Sequence, residues 1–481
     1  MRSRETTCQS QREELVALNA EGPAAKARRH ALLEWLVQRR PEARPTAPGQ
    51  YRPGTGCDCS CEPGLPPVAV IDWHGEGDGL PVVAGECLVR VDPDRIAEFD
   101  QLKRRLKSMG WSTQDEAREG EPTIVKFTTG GDADLEMALR VIEEQGWRGG
   151  PNHIIPLNWS VKGKIGPEAT CETLPPLDAD CSSGPKLQII DTGLASTADR
   201  YRTDGRLATA KGDLDPLDEV DRNGYLIPDG CLDLGAGHGT SVAGVAECVE
   251  PELDVNVHRA LGPDGVGTEE AIAKLIFEVG ESARKRGGGV INLSFGTQSY
   301  DDKAPLLLES AFEKLGLGDA EARARSQLCI VAAAGNWGDD GRPSWPAALP
   351  GAIAVAGLDE AGEPAVWSTR GEWVEFSAQA ECIVAPYVVG KETPGTNDPG
   401  DPYDVYPDRW DGPNPNALWL GTSFAAPQVA ARLARYVHEA PGITCGEAVA
   451  RLEDAGEKRH DGFGVSLWGL LSKCAGGQTG S

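Results

Sequence analysis

A serine preceded by glycine and threonine, in the C-terminal part of the chain, has the setting of a nucleophile. Ser423 follows Gly421-Thr422 and precedes an apolar run that predicts a helix. A serine at a helix N-terminus faces unpaired backbone N–H groups and the positive end of the helix dipole, which favour developing negative charge. The same serine is also a good N-cap, so this motif alone leaves a structural and a catalytic role open.

Two further motifs carry the groups that a nucleophilic serine requires. Asp191 follows the apolar strand predicted at residues 186–190 and precedes a Thr-Gly turn, which puts a carboxylate at the carboxyl edge of a sheet. His238 stands in Gly-His-Gly-Thr, where small neighbours let the imidazole approach another strand end closely. An imidazole titrates near neutral pH, so His238 is the histidine that we predict to act as a base.

A fourth motif, Gly335-Asn336, follows the hydrophobic strand predicted at residues 329–334. The amide of an asparagine in such a turn can point into a cleft as a preorganised hydrogen-bond donor for an oxyanion. Gly-Asn is also an ordinary turn pair, so the motif by itself leaves both interpretations open.

Taken together, the four motifs resemble the subtilisin-like serine proteases in residue type and in order along the chain. The resemblance runs from about residue 185 to residue 474 and implies a serine endopeptidase with a parallel sheet flanked by helices. It implies a catalytic triad of Asp191, His238 and Ser423, an oxyanion hole with Asn336, and no cofactor for the chemistry.

The resemblance also implies that a protein or peptide substrate binds as an added strand. Two edge segments and one pocket wall would then contact the substrate, namely Gly265, Val266 and Gly267; Ser294, Phe295 and Gly296; and Ala333 and Gly335. The small residues at 332–335 predict a pocket that accepts an apolar or bulky side chain before the cut.

Upstream of the motifs, residues 68–160 alternate between strand and helix patterns. The order strand, helix, strand, helix, strand has room for a further strand near residues 68–71 or between the first helix and residue 123. This order indicates a small ferredoxin-like α+β unit. Subtilisin-like proteases commonly carry an inhibitory prodomain of this element order. The resemblance therefore implies that this unit keeps the protease inactive until it is processed or triggered.

The predicted domain organisation has five parts. Residues 1–67 form a helical segment and a linker rich in Cys, Pro and Gly, residues 68–160 the prodomain-like unit, 161–184 a linker, 185–475 the peptidase domain and 476–481 a tail. Packing within the chain is the ordinary explanation of helices in the first segment, and a docking site for a regulatory protein is the alternative.

Three other segments carry specific expectations. Asp218, Asp221 and Asn223 in an acidic loop are candidate ligands of a structural calcium ion, or a solvated acidic face. Residues 387–416 form an insertion-like run longer than the family usually has, either a lid, an exosite or padding. Residues 456–464 and 465–471 are expected to be the closing turn and the last helix of the peptidase domain.

Composition narrows the class of protein. A chain of 481 residues is long enough for two or more domains, and a net charge of −27 argues against nucleic-acid or anionic-membrane partners. Neither a secretion signal nor an apolar run of membrane-spanning length is visible, and the 13 cysteines are scattered. We therefore expect a cytoplasmic, mostly reduced protein.

Two alternatives to an active protease remain at this point. The chain could be a catalytically silent, subtilisin-shaped binding module. It could also be an effector whose proteolysis is controlled by a partner.

Overall fold

Two α/β units follow one another in the computed structural model of this chain. The described residues are 68–71, 80–157 (except 119, 131 and 132), 167–170, 184–195, 207, 210–212, 232, 235–262, 265–338, 342–391, 409–410 and 415–471, with Gln9 and Leu174. Apart from Gln9, the helical segment and the linker rich in Cys, Pro and Gly predicted at residues 1–67 lie outside this set, as does the candidate calcium loop.

The N-terminal unit consists of antiparallel strands and two helices. Its elements are β1 (Val68–Ile71), β2 (Leu80–Val91), α1 (Ile96–Ser108), β3 (Thr123–Thr128), α2 (Leu135–Glu144) and β4 (Arg148–Pro156). The long strand β2 pairs antiparallel with β1, β3 and β4, and an isolated bridge between Ser112 and Thr128 continues the sheet beyond β3. This is the ferredoxin-like order that the strand and helix pattern predicts. Of the two places expected for a further strand, residues 68–71 form β1, and the residues between α1 and β3 contribute only the bridge at Ser112.

The core of this unit follows from the spacing of its apolar residues. Phe99, Leu102 and Leu106 lie on one face of α1 because residues three and four apart share a helix face. They pack with Leu139 and Ile142 of α2 against the inward side chains of the sheet. The helices thus bury one face of the sheet.

The second unit is built on a sheet of nine described strands, which are β6 (Lys186–Asp191), β7 (Lys211–Gly212), β8 (Asp254–Arg259), β10 (Gly289–Leu293), β11 (Leu328–Ala333), β12 (Ala352–Leu358), β13 (Val374–Gln379), β18 (Lys458–His460) and β19 (Gly464–Ser466). Their order across the sheet is β18-β19-β13-β12-β11-β10-β6-β8-β7. All neighbours pair in parallel except β18 with β19. The predicted parallel sheet is therefore present.

Helices cover both faces of this sheet. They are α3 (His238–Val249), α4 (Glu269–Lys285), α5 (Leu306–Lys314), α6 (Ala320–Arg325), α7 (Ala426–Glu439) and α8 (Cys445–Asp454). Successive residues of a strand point to opposite faces, so Ile189 and Val331 belong to one core cluster while Ile190 and Ile330 belong to the other. Burial on both faces explains why these strands are continuous apolar runs rather than alternating ones.

The predicted last helix at residues 465–471 is wrong. Residues 464–466 form β19, which pairs with Phe376 and Ser377 of β13, and residues 468–471 form turns. A short apolar run cannot be assigned to strand or helix by its periodicity, and here the exposed edge of β13 selects the strand.

The insertion-like run has both of its ends in the core. The strands β14 (Ile383–Pro386), β17 (Asn416–Trp419) and β5 (Glu168–Thr170) form a small antiparallel sheet. Within the run, β15 (Gly390–Lys391) pairs with β16 (Arg409–Trp410), and the buried rings of Tyr387 and Trp410 lie 4.7 Å apart. Its role as a lid or exosite stays a prediction.

Two chain-wide expectations can be compared with the described residues. Cys87, Cys248, Cys329 and Cys445 are free and buried, whereas Cys382 is disulfide-bonded, which a mostly reduced chain does not lead one to expect. No helix within the described ranges combines the length and the apolar character needed to cross a bilayer.

Candidate active site

An aspartate and a histidine meet at the carboxyl edge of the large sheet. Asp191 is the last residue of β6, and His238 is the first residue of α3, whose N-cap Gly237 has a positive φ of 73°. The Nδ1 atom of His238 and Oδ1 of Asp191 are 2.7 Å apart, and both side chains are buried. A carboxylate accepts a hydrogen bond from Nδ1–H, so this contact fixes the ring and leaves Nε2 as the atom that can take a proton.

Small residues make the approach of α3 to β6 geometrically feasible. A Cβ atom on Gly239 would lie 2.2 Å from the carbonyl oxygen of Gly193, closer than real Cβ contacts occur. The threonine of each motif accepts a hydrogen bond from the backbone of the other motif. Gly239 N donates to Thr192 Oγ1 at 2.9 Å, and Ala195 N donates to Thr240 Oγ1 at 2.8 Å. These two bonds hold the start of α3 against the end of β6.

Ser423 lies in a single 3-10 turn (Thr422–Phe424) between β17 and α7. Its Oγ donates to the carbonyl oxygen of Ser294 at 3.0 Å, while Ser294 Oγ donates to the carbonyl oxygen of Ser423 at 2.8 Å. The ring of the next residue, Phe424, lies 5.4 Å from the ring of His238. The turn that holds the serine thus packs against the histidine, whose Nε2 has no hydrogen-bond partner among the described residues.

Asn336 is attached to the same turn by its amide oxygen. Oδ1 accepts from Thr422 N and from Thr422 Oγ1, both at 3.0 Å, and Gly335 N donates to the same hydroxyl at 3.0 Å. With the oxygen turned to Thr422, the amide nitrogen lies beside Gly421, where an added Cβ would be 3.3 Å from Nδ2. The donor end of the amide is therefore oriented by the threonine that precedes Ser423.

The two predicted substrate edges contact the chain itself. Strand β9 (Val266–Thr268) pairs antiparallel with β4 of the N-terminal unit, matching Pro156 with Val266 and Ile155 with Gly267. Leu157 N donates to Gly265 O at 2.8 Å, and Gly296 N approaches the carbonyl oxygen of Pro156 at 3.4 Å from the other side. The end of β4 therefore lies between the two segments as an added strand.

A buried polar pair joins the two units beside this strand. Nδ1 of His153 lies 2.7 Å from Oε2 of Glu269, the first residue of α4, and both side chains are buried. The other carboxylate oxygen of Glu269 accepts from Leu307 N at 2.6 Å. Next to the pair, Tyr300 donates from its hydroxyl to Gly149 O at 3.1 Å, and burial raises the pKa of this phenol, which keeps it protonated as a donor.

Cations of the N-terminal unit surround this contact. Arg90 pairs with Glu313 at 3.0 Å, Lys126 pairs with Glu270 at 2.7 Å, and Arg148 pairs with Glu309. The partner carboxylates all belong to α4 and α5. The interface thus joins a basic face of the small unit to an acidic face of the large one.

Residues 182–463 match the model of the subtilase family, which corresponds to peptidase family S8. This segment exceeds half of the chain and contains both the Asp191–His238 pair and the turn with Ser423.

The chain belongs to the subtilase family.

Membership makes it a serine endopeptidase that acts on protein or peptide substrates and needs no cofactor for catalysis.

Several relatives of this subtilase are known. It is 26% identical over 290 residues to Subtilisin DY of Bacillus licheniformis, covering 58% of this chain and 85% of the relative. Thermitase of Thermoactinomyces vulgaris is 29% identical over 215 residues, covering 43% of this chain and 66% of thermitase. Mycosin-1 of Mycobacterium tuberculosis is 34% identical over 123 residues, covering 26% of this chain and 24% of mycosin-1.

A solved structure of a cold adapted subtilisin-like serine proteinase aligns with 60% of this subtilase and 91% of that chain. The sequence identity is 19% and the TM-score is 0.41. At that score the likeness adds nothing to the family assignment.

The remaining predicted residues occupy different settings. Val266, Phe295 and Ala333 are buried, with Phe295 in the core cluster that contains Ile190 and Ala333 in the one that contains Ile189. Asp218, Asp221 and Asn223 lie outside the described residues, so calcium binding stays a prediction. Within the described part of the chain, no group of three or more His, Cys, Asp or Glu side chains has an arrangement suited to a metal ion.

The sequence interpretation missed the acidic side of the interface. Thr268-Glu269-Glu270 is a common helix-start pattern, with Thr268 Oγ1 accepting from Ala271 N at 3.1 Å. The pattern explains a cap and the charge of the first turn, but no local signal indicates that Glu269 is buried against a histidine 116 residues away.

Proposed function

We propose that this subtilase hydrolyses peptide bonds with Ser423 as nucleophile, His238 as general base and Asp191 as the group that orients the imidazole. The observation that carries the proposal is the buried 2.7 Å contact between His238 Nδ1 and Asp191 Oδ1. This contact leaves Nε2 as the proton acceptor in a site whose neighbouring turn holds Ser423.

The reaction follows from these roles. Ser423 Oγ turns from the carbonyl of Ser294 to Nε2 of His238 and attacks the scissile carbonyl carbon as its proton moves to Nε2. The oxyanion accepts hydrogen bonds from the Asn336 amide and from the backbone N–H of Ser423. His238 then gives the proton to the leaving amine as the C–N bond breaks, and a water molecule hydrolyses the acyl-enzyme by the same proton transfers.

The N-terminal unit acts, in this proposal, as an inhibitory prodomain. Its strand β4 lies along Gly265–Gly267 and Gly296, which are the segments that would hold a substrate backbone. A substrate and β4 compete for the same N–H and C=O groups, so a docked unit blocks the cleft. The proposed domain bounds, with the unit at 68–160 and the peptidase domain at 185–475, follow the same division.

Substitution of the nucleophile tests the catalytic assignment. We expect Ser423→Ala to abolish casein hydrolysis and any self-cleavage while its thermal unfolding stays close to that of the wild type. Ser108→Ala, which removes an exposed hydroxyl on α1, serves as the matched control and keeps the wild-type rate. Casein hydrolysis by Ser423→Ala at the wild-type rate would show that the assignment is wrong.

Intact mass over time tests the inhibitory role. A cut between the two units that appears in the wild type and not in Ser423→Ala supports processing by the chain's own serine. A wild-type chain that hydrolyses casein fully with the N-terminal unit uncut and attached contradicts the proposal. A partner that binds residues 1–67 and a structural calcium ion at the acidic loop remain proposals with separate tests, namely pull-down with residues 1–67 and thermal unfolding with a chelator.

A further inference from the structure

A buried hydroxyl group without a partner lies beside the candidate catalytic turn. Ser344 has no solvent exposure, and its Oγ makes no hydrogen bond to any described residue. A Cβ atom on Gly335 would lie 3.0 Å from this Oγ, and Gly335 directly precedes Asn336. A buried hydroxyl without a protein partner can pair with a ligand group that reaches it, and the place of Ser344 beside the candidate catalytic turn makes the substrate that ligand.

The backbone around Ser344 connects it to the substrate edge. The next residue, Trp345, exchanges two backbone hydrogen bonds with Thr297, at 2.9 and 2.7 Å, and Thr297 follows Gly296. Ser344 therefore lies between the pocket wall that ends at Gly335 and the edge segment that contacts β4.

The register of β4 defines which substrate position reaches this pocket. Gly296 lies against Pro156, the Tyr300 hydroxyl against Gly149, and the carbonyl of Ala304 against the Arg148 side chain. Residue numbers rise along the segment that begins at Gly296 while they fall along β4, so the two segments are antiparallel. Ser294, two residues before Gly296, is therefore opposite the substrate position two residues after that of Pro156. Ser423 Oγ lies 3.0 Å from the carbonyl of Ser294, so the substrate residue at this position is the one before the cut.

We propose that Ser344 determines the specificity of this subtilase and selects a carboxamide side chain, asparagine above all, at the residue before the cut. The inference rests on the proposed function. In the chain's own sequence, the position two residues after Pro156 is occupied by asparagine, Asn158. A carboxamide both donates and accepts, so it pairs with the hydroxyl, whereas leucine leaves the hydroxyl buried and unpaired.

This inference replaces the apolar preference that the small residues at 332–335 predict. Alanine and glycine residues make the wall small, and the hydroxyls of Ser344 and Thr369 both lie beside Gly335. Thr369 Oγ1 accepts from Trp337 N at 2.9 Å, whereas Ser344 Oγ has no partner among the described residues. The hydroxyl of Ser344 is therefore the one that can discriminate between substrate side chains.

A double-mutant cycle with two peptides tests the proposal. The full chain and its Ser344→Ala variant are each assayed with peptides that contain Ile-Pro-Leu-Asn-Trp or Ile-Pro-Leu-Leu-Trp. Each pair of rates comes from one enzyme, so any occupation of the cleft by the N-terminal unit lowers both rates alike. Ser377→Ala is the matched control, because Ser377 Oγ is equally buried and equally without a partner but lies in the strand β13.

We expect the wild type and Ser377→Ala to show a kcat/KM for the asparagine peptide about 10-fold or more above that for the leucine peptide. Ser344→Ala should bring the ratio close to one, and Ser344→Gly should do the same if the alanine variant folds poorly. A wild-type ratio of one or less, or a ratio unchanged by both substitutions, overturns the proposal. Fluorophosphonate labelling of Ser423 distinguishes failure of this inference from failure of the proposed function. A labelled serine without the asparagine preference refutes only the specificity, whereas a serine that stays unlabelled after the N-terminal unit has been cut refutes the proposed function.

Discussion

Asn336, the proposed oxyanion donor, is linked to the turn that carries Ser423 through Thr422. The amide oxygen of Asn336 accepts two hydrogen bonds from Thr422, one from the backbone and one from the hydroxyl. This arrangement aims the amide nitrogen before any substrate binds. Preorganised donors stabilise a transition state because they need no reorientation when charge develops.

The first prediction concerns this amide. Asn336→Ala should lower kcat by about 10²- to 10³-fold, the effect of removing one oxyanion donor in a subtilisin, while KM changes little. Steady-state kinetics on one peptide measures both parameters. Thr422→Val is the control for loop disturbance, since it removes the hydroxyl contact and keeps the amide nitrogen. An equal loss in both variants would mean that Asn336 acts only through the loop.

Several site residues could be predicted from sequence because each stands in a short local motif. Asp191, His238 and Ser423 are each surrounded by glycine or threonine, and the structure brings the first two into direct contact. Ser344 had no such signal. It is a small polar residue 79 positions before Ser423, and its setting depends on contacts with Gly335 and, through Trp345, with Thr297.

At the scale of elements, the distance between α3 and the end of β6 determines whether the aspartate reaches the histidine. Gly239 allows the close approach, because any side chain there would collide with the carbonyl of Gly193. The two threonine bonds then hold the helix against the strand end.

We therefore predict that Gly239→Ala lowers kcat by about 10-fold or more. The methyl group forces the first turn of α3 away from Gly193 and lengthens the contact between His238 and Asp191, and misplacement of a catalytic group by about 1 Å costs up to 10²-fold. Gly318→Ala is the matched control, since its added methyl group meets nothing closer than 3.6 Å. Equal kcat values for Gly239→Ala and the wild type would contradict this account of the helix position.

The buried pair of His153 and Glu269 is the element-scale contact that we expect to stabilise the docked N-terminal unit most. Loss of the imidazole leaves Oε2 of Glu269 buried with only the long 3.3 Å contact to the His153 backbone. An unsatisfied buried acceptor costs about 1–3 kcal/mol, whereas a partly exposed ion pair such as Lys126–Glu270 contributes about 0.2–1 kcal/mol.

His153→Ala should accordingly loosen the unit more than Lys126→Ala does. Both substitutions are made in the uncut Ser423→Ala chain, and the rate of chymotryptic cleavage within residues 80–157 is measured, since neither substitution removes a chymotryptic site. We expect a rise of about 5- to 100-fold for His153→Ala and less than about 5-fold for Lys126→Ala. The reverse order would show that the surface ion pairs dominate the docking.

Long elements could be predicted from periodicity, and short ones could not. The helix α1 and the strands β2 and β3 have apolar spacing that specifies their type. The strand β19 has three residues and exists because β13 offers an unpaired edge, which is a property of the assembled sheet.

For the whole molecule, the main finding is that one unit of the chain adds a strand to an edge of the other. The ferredoxin-like unit contributes β4 to an edge of the peptidase unit, and basic residues of the small unit face carboxylates of the large one. Part of the negative charge behind the net value of −27 therefore lies on an acidic face of the large unit, which is covered while the small unit is docked. A cytoplasmic location stays a prediction, as does a partner for residues 1–67.

The most direct test of the central claim is the site of covalent labelling. The full chain is treated with a fluorophosphonate, which reacts with an activated serine, before and after limited proteolysis of the N-terminal unit, and the adduct is located by peptide mass mapping. Once the unit has been cut, we predict one adduct on Ser423 in the wild type, no adduct in Ser423→Ala and a strongly slowed reaction in His238→Ala. An adduct on another serine, or a wild type that stays unlabelled after the N-terminal unit has been cut, would contradict it.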